Sequence, residues 1–172
     1  MFKRIALATF VATVLCCNFA NAQVSDTQLF TVVVPTTLTI TPPTAQTITH
    51  DETDDAQSFT TQTWAVFGNP TAGVNVSFET GSAFVHATEA TKKADARLTL
   101  AVGSETGADF SITTGTDTTD YANSDETATV VATSDGAGSA DLDLTVEFIT
   151  GSYTGLAAGN YTMTVTGTIS SN

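Results

Sequence analysis

Leu29-Phe30-Thr31-Val32-Val33-Val34-Pro35-Thr36-Thr37-Leu38-Thr39-Ile40-Thr41 is the stretch on which the reading of this chain turns. Every second residue gives Phe30, Val32, Val34, Thr36, Leu38 and Ile40, five of the six large and apolar. The other parity, from Leu29 through Thr31, Val33, Pro35 and Thr37 to Thr39 and Thr41, turns polar towards its end. Strand side chains alternate between faces, so the segment predicts a row of apolar knobs on one face. Its β-branched and aromatic content suits a pleated surface rather than a helix, and it is about twice the usual strand length. Pro35 has no N–H to give to a ladder and marks an edge, a bend or a strand boundary. Two readings follow: the opening one or two strands of a β-sandwich bent at Pro35, or a segment handed to another subunit by strand addition.

Upstream, Lys3 and Arg4 precede an apolar run from Ile5 to Cys17, and Ala20-Asn21-Ala22 has the small-x-small form of a cleavage site. Residues 1–22 are therefore expected to be a secretory signal peptide, which places the protein outside the cell. The run is too short for a transmembrane span, and Leu15 before Cys16 does not fit a lipoprotein signal. Removing 22 of the 172 residues leaves 150, enough for one domain with its own core. Cys16 and Cys17 leave with the signal peptide, so the mature chain is expected to be held by packing and ladder hydrogen bonds alone.

The mature chain keeps three cations, Lys92, Lys93 and Arg97, against 18 acids, a formal charge of −15. That charge repels phosphate backbones and anionic membranes, which argues against nucleic acid as a partner. Threonine makes up roughly one mature residue in five, far above its average share. The strong apolar alternation separates the chain from Thr-rich disordered stalks.

Ala45–Thr49 is a short strand candidate, and His50–Asp55 reads as a solvated acidic loop. Ser58–Phe67 is a strand ending at the Gly68-Asn69-Pro70 turn, with Trp64 packed between sheets. Val74, Val76 and Phe78 alternate with polar residues, and a turn at Thr80–Ser82 predicts a hairpin with Ala83–Ala87. Thr88–Ala96 has helix-forming content and predicts a helical turn in a crossover. Strands are expected at Arg97–Val102, Asp109–Thr113 and Thr127–Thr133, with a polar loop over Gly115–Glu126. The clearest alternation is at the end. Leu142, Leu144, Val146 and Phe148 share one face, as do Tyr161, Met163, Val165 and Ile169. Gly167 falls on the inward parity and predicts a bulge or a close approach. The fold class is all-β: a single immunoglobulin-like antiparallel β-sandwich of about nine strands with little or no helix, over residues 36–172.

Nothing in the sequence points to an enzyme. His50 and His86 lack metal spacing, no Cys remains to complete a zinc set, and there is no G-x-S-x-G elbow. Calcium is the one ion with candidate ligands: Asp51, Asp54 and Asp55 beside Glu52 in one loop, and Asp117, Asp120 and Asp125 beside Glu126 in another. Clustered acids more often only solvate a surface, and neither loop fits an EF-hand. Asn75-Val76-Ser77 and Asn160-Tyr161-Thr162 match the glycosylation sequon but fall on expected strands.

The two ends resemble pilins assembled by donor-strand exchange, most closely the cysteine-free alpha-type fimbrial major pilins. The residues that carry this are Val32-Val33-Val34-Pro35-Thr36, a short apolar run, a proline and the first body strand, and Gly159-Asn160-Tyr161, a Gly-x-Tyr entry into the last strand. The resemblance implies a fibre subunit at the cell surface whose N-terminal extension, residues 23–35, fills a groove in the next copy with Phe30, Val32 and Val34. It also implies a periplasmic chaperone and an outer-membrane usher as partners. The alternative is a self-complete surface sandwich that binds a glycan or calcium, in which Leu29–Val34 pairs within its own domain.

Overall fold

A computed structural model describes residues 23–172, and the expected signal peptide lies outside the described residues. Val34–Asn172 forms one compact body, and the described residues 23–33 fall outside it in a separate unit. The body is all β apart from two short 3-10 turns.

Twelve strands make it up: β1 (Leu38–Thr41), β2 (Gln57–Ser58), β3 (Gln62–Gly68), β4 (Val74–Thr80), β5 (Phe84–His86), β6 (Lys93–Thr106), β7 (Phe110–Thr114), β8 (Thr116–Thr118), β9 (Thr129–Ser134), β10 (Gly138–Ile149), β11 (Tyr161–Thr162) and β12 (Val165–Ser171). The first sheet runs β1-β3-β10-β6-β5-β11, with β2 also on β10 and β8 also on β6. The second runs β12-β4-β9-β7. Every pairing is antiparallel.

The core lies between the sheets and follows the period-two rows of the sequence. Trp64 and Val66 of β3, Leu98 and Leu100 of β6 and Leu142 and Leu144 of β10 meet Val74, Val76 and Phe78 of β4 and Val130 and Ala132 of β9. Trp64 packs against Phe78 with ring centroids 5.0 Å apart. Burying each large apolar side chain contributes about 1.5–3 kcal/mol, so a register slip in β4 or β10 would forfeit several such terms together. A second cluster at one end of the first sheet gathers Phe84, Ala94, Ala96 and Phe148, with Phe59, Tyr161 and Met163 against it.

Several local expectations are corrected. Ala45–Thr49 forms no strand, and Ile48 keeps 36 % of its surface exposed instead of entering the core. Ser58–Phe67 is broken into β2 and β3 at residues 59–61. The hairpin after β4 does not form, because β5 crosses to the first sheet and pairs with β6 and β11. Thr88–Ala96 is not helical: Lys92 N–H donates to Glu89 O in a turn, and β6 starts at Lys93. Burial of Ala94 and Ala96 beneath aromatic rings outweighs a weak helix propensity there. The polar loop holds β8, and the last strand is split into β11 and β12, which join different sheets.

Candidate functional site

Two features have no partner among the described residues, and both are apolar. The first is the outer edge of β12. This strand pairs only with β4, from Val165 opposite Thr80 to Ser171 opposite Val74. Its inward row is Val165, Gly167 and Ile169. These stay half-buried, whereas Val74, Val76 and Phe78 on the neighbouring strand are fully buried. The difference is positional: β4 has a strand on each side, and β12 has one.

Across the sandwich, β1 ends the other sheet and shows the same half-burial at Leu38 and Ile40. The two terminal strands therefore lie together along one side of the sandwich, where β12 presents an unpaired backbone edge. Ile40, Trp64 and Phe78 close its floor so tightly that a Cβ on Gly167 would lie 2.8, 2.9 and 3.2 Å from them. That is the close approach the glycine predicts. The opposite side is shut, because the chain passes from β6 through β7 to β8 and crosses from one sheet to the other and back.

Exposed sheet edges invite unwanted pairing and are normally blunted. β7 carries a register shift between Ile112 and Thr114. β8 is three residues long and carries Asp117. β11 has two residues, and β1 has four and runs into Pro42-Pro43. β12 has none of these devices: Val165-Thr166-Gly167-Thr168-Ile169-Ser170-Ser171 holds no charge, no proline and no bulge.

The second feature is the segment before β1. Residues 23–37 belong to no strand. Phe30, Val32 and Val34 are 80, 86 and 75 % exposed, and Val24, Leu29 and Val33 are exposed as well. Six residues from Leu29 to Val34 span about 20 Å when extended, close to the length of the seven-residue edge.

The body holds the root of this segment firmly. Asn69 Nδ2 donates to Pro35 O at 2.9 Å, Thr37 N–H donates to Asn69 Oδ1 at 2.7 Å, and Asn69 N–H donates to Thr37 O at 3.2 Å. Val34, Pro35 and Thr36 line a shallow cleft with Asn69–Ala72, Ser171 and Asn172. The root thus lies at the C-terminal end of β12. Asn172 holds that end, its Nδ2 donating to Ala72 O and Ser134 O. Asn69 was visible in the sequence only as part of a turn, because a contact across 34 residues leaves no periodic signal.

The Gly-x-Tyr turn is tied to the body by His86. Its Nδ1 accepts from Thr88 N–H and Glu89 N–H, and its Nε2 meets Ala158 O at 3.2 Å. Tyr161 packs edge-on to the ring. Gly159 lies so close to the imidazole that no side chain fits there. His50 does similar work on the preceding turn: Nε2 contacts Thr150 Oγ1 at 2.8 Å, and the ring stacks on Tyr153.

The calcium candidates stay apart and serve their own loops. Asp51 Oδ1 accepts from Thr53 N–H, Thr53 Oγ1 and Gln57 Nε2. The Thr53 side-chain hydrogen bond is the main reason its carboxyl is held below 3.8. Asp54 accepts from Tyr153 N–H, Asp117 from Thr118 and Thr129 N–H, and Asp120 from Asn123. Asp55 and Asp125 enter the hydrogen bonding through backbone atoms, Asp55 O taking Thr150 Oγ1 and Asp125 pairing with Asp120. Among the described residues no three Asp, Glu, His or Cys side chains come together to hold a metal, and no helix is long and apolar enough to cross a membrane.

Compared with known proteins, the chain matches no family model, no curated protein and no solved structure.

Proposed function

We propose that this protein is the structural subunit of an extracellular fibre, assembled head-to-tail by donation of residues 23–35 to the open side of a neighbouring copy. The observation that carries the reading is the pairing of two complementary defects in one chain. One is a seven-residue edge with no blunting device and a half-exposed apolar row. The other is an apolar segment of matching length that pairs with nothing among the described residues. A donated strand would satisfy the free N–H and C=O groups of β12 and cover Val165, Ile169, Leu38 and Ile40 with Phe30, Val32 and Val34. Because donor and acceptor are different surfaces of the same chain, such a contact does not close on itself and propagates. The expected signal peptide supports an extracellular location, and a chaperone that shields the edge before assembly follows from the hazard an open edge creates. A self-complete glycan- or calcium-binding sandwich requires Leu29–Val34 to pair at home, and the exposure of those residues speaks for donation instead.

The test is an SDS gel of sheared cell-surface material, run unboiled and boiled. A ladder that collapses on boiling to one band near the mature mass is the expected result. A single monomer band in both lanes overturns the reading.

A further inference from the structure

Strand donation alone leaves open which parts of two bodies touch, and the position of the root answers that. Pro35 and Thr37 are fixed by Asn69 at the C-terminal end of β12. At the other end of the strand, about 20 Å away, Val165 pairs with Thr80, and Gly81 N–H donates to Thr164 O.

A donor entering parallel to β12 would bring its own root beside the acceptor's root. The two extensions would then reach each other's open sides, and reciprocal exchange would give a closed pair. A donor entering antiparallel puts its root, and the body behind it, at the Thr80–Gly81 end. The acceptor's root is then left free for the next copy, and only this orientation builds an open chain.

From this we infer a second contact, resting on the fibre reading above: the root end of one copy, Pro70-Thr71-Ala72 with Ser171-Asn172, seats against the Gly81-Ser82 turn and Thr164 of the next. The occupant is a second copy of this chain, and position argues for these patches: the root lies in the first, and the second is the end of β12 that an antiparallel donor's root reaches. The named residues carry no ionisable side chain, and exposed Glu79, two residues before Gly81, is the acid nearest in sequence to the second patch. The root end is shaped as a shallow cleft, and the opposite turn is unobstructed, with no atom within 4 Å of where a Cβ on Gly81 would stand.

The described chain has no cysteine, which makes the contact readable by cross-linking. Ala72→Cys, Gly81→Cys and the double variant are each assembled from monomers, oxidised, boiled in SDS and run with and without reductant. The double variant is expected to give a ladder that survives boiling and collapses with reductant, while each single variant stays monomeric. Disulfide dimers of Ala72→Cys alone would mean root-to-root packing and would overturn the inference. So would a heat-labile ladder in the double variant with no covalent ladder beneath it, a result that leaves strand donation standing. If wild-type protein gives no SDS-resistant multimers at all, the fibre reading itself fails and this contact fails with it.

Discussion

Gly167 shows how much a single position decides. It sits on the inward row of β12, where hydrophobic alternation calls for a large side chain, and the space it would fill is already taken by Ile40, Trp64 and Phe78. Gly167→Val should destabilise the folded body by about 1–3 kcal/mol through overpacking, read as a lower urea midpoint at unchanged slope. An unaltered midpoint would mean that those three side chains move aside freely. Asp51 gives a residue-scale prediction in pH. Hydrogen bonds, first that from the Thr53 side chain, hold its carboxyl below 3.8 in the folded loop. A lowered folded value means that this ordering is present above the unfolded value, about 3.9, and is lost as pH falls through the folded one. The amide of Thr53 should report that loss by NMR as pH falls below the ordinary carboxylate range, and Asp51→Asn should remove the titration.

The extension, as an element, makes a prediction that separates it from a core strand. Phe30 is 80 % exposed, so Phe30→Ala should change monomer stability by less than about 0.5 kcal/mol. In an assembled fibre the same ring would be buried, and its loss should cost about 3–5 kcal/mol per contact, seen as a lower temperature for collapse of the SDS-resistant ladder. Val32→Asp should abolish polymerisation by placing a carboxylate in an apolar groove, and fibres of normal length from that variant would sink the donation model. Element existence was largely legible in the sequence: the inward rows of β4 and β10 are those that alternation picks out. Element boundaries and partners were less so. Lys93–Ala96 has helix-favouring residues yet runs as strand, since pairing with β10 and burial under Phe84 and Phe148 are non-local. Tyr161 and Val165 share a parity in sequence but belong to different sheets, because the chain switches sheets at Met163-Thr164.

The charge of the whole molecule sets its solution behaviour. Of the three cations among residues 23–172, Lys93 pairs with Glu126 at 2.5 Å and Arg97 pairs with Glu147, which leaves the acids far in excess. In the fibre reading, copies approach against that repulsion. Assembly should therefore run faster at 150 mM than at 10 mM salt, where the Debye length grows from about 8 to about 30 Å. A rate independent of salt would show that the net charge of the body does not limit the encounter of two copies. The sequence by itself determined the fold class, the inward rows, the expected loss of both cysteines and the apolar character of Leu29–Val34, because composition and period-two burial are local properties. Only the tertiary structure decided that β12 is left with a bare edge, that β1 and β12 end their sheets on the same side, and that Asn69 fixes the root of the extension beside the end of β12. Those facts depend on which strands lie next to one another, and strand neighbours are set by packing between residues far apart in the chain.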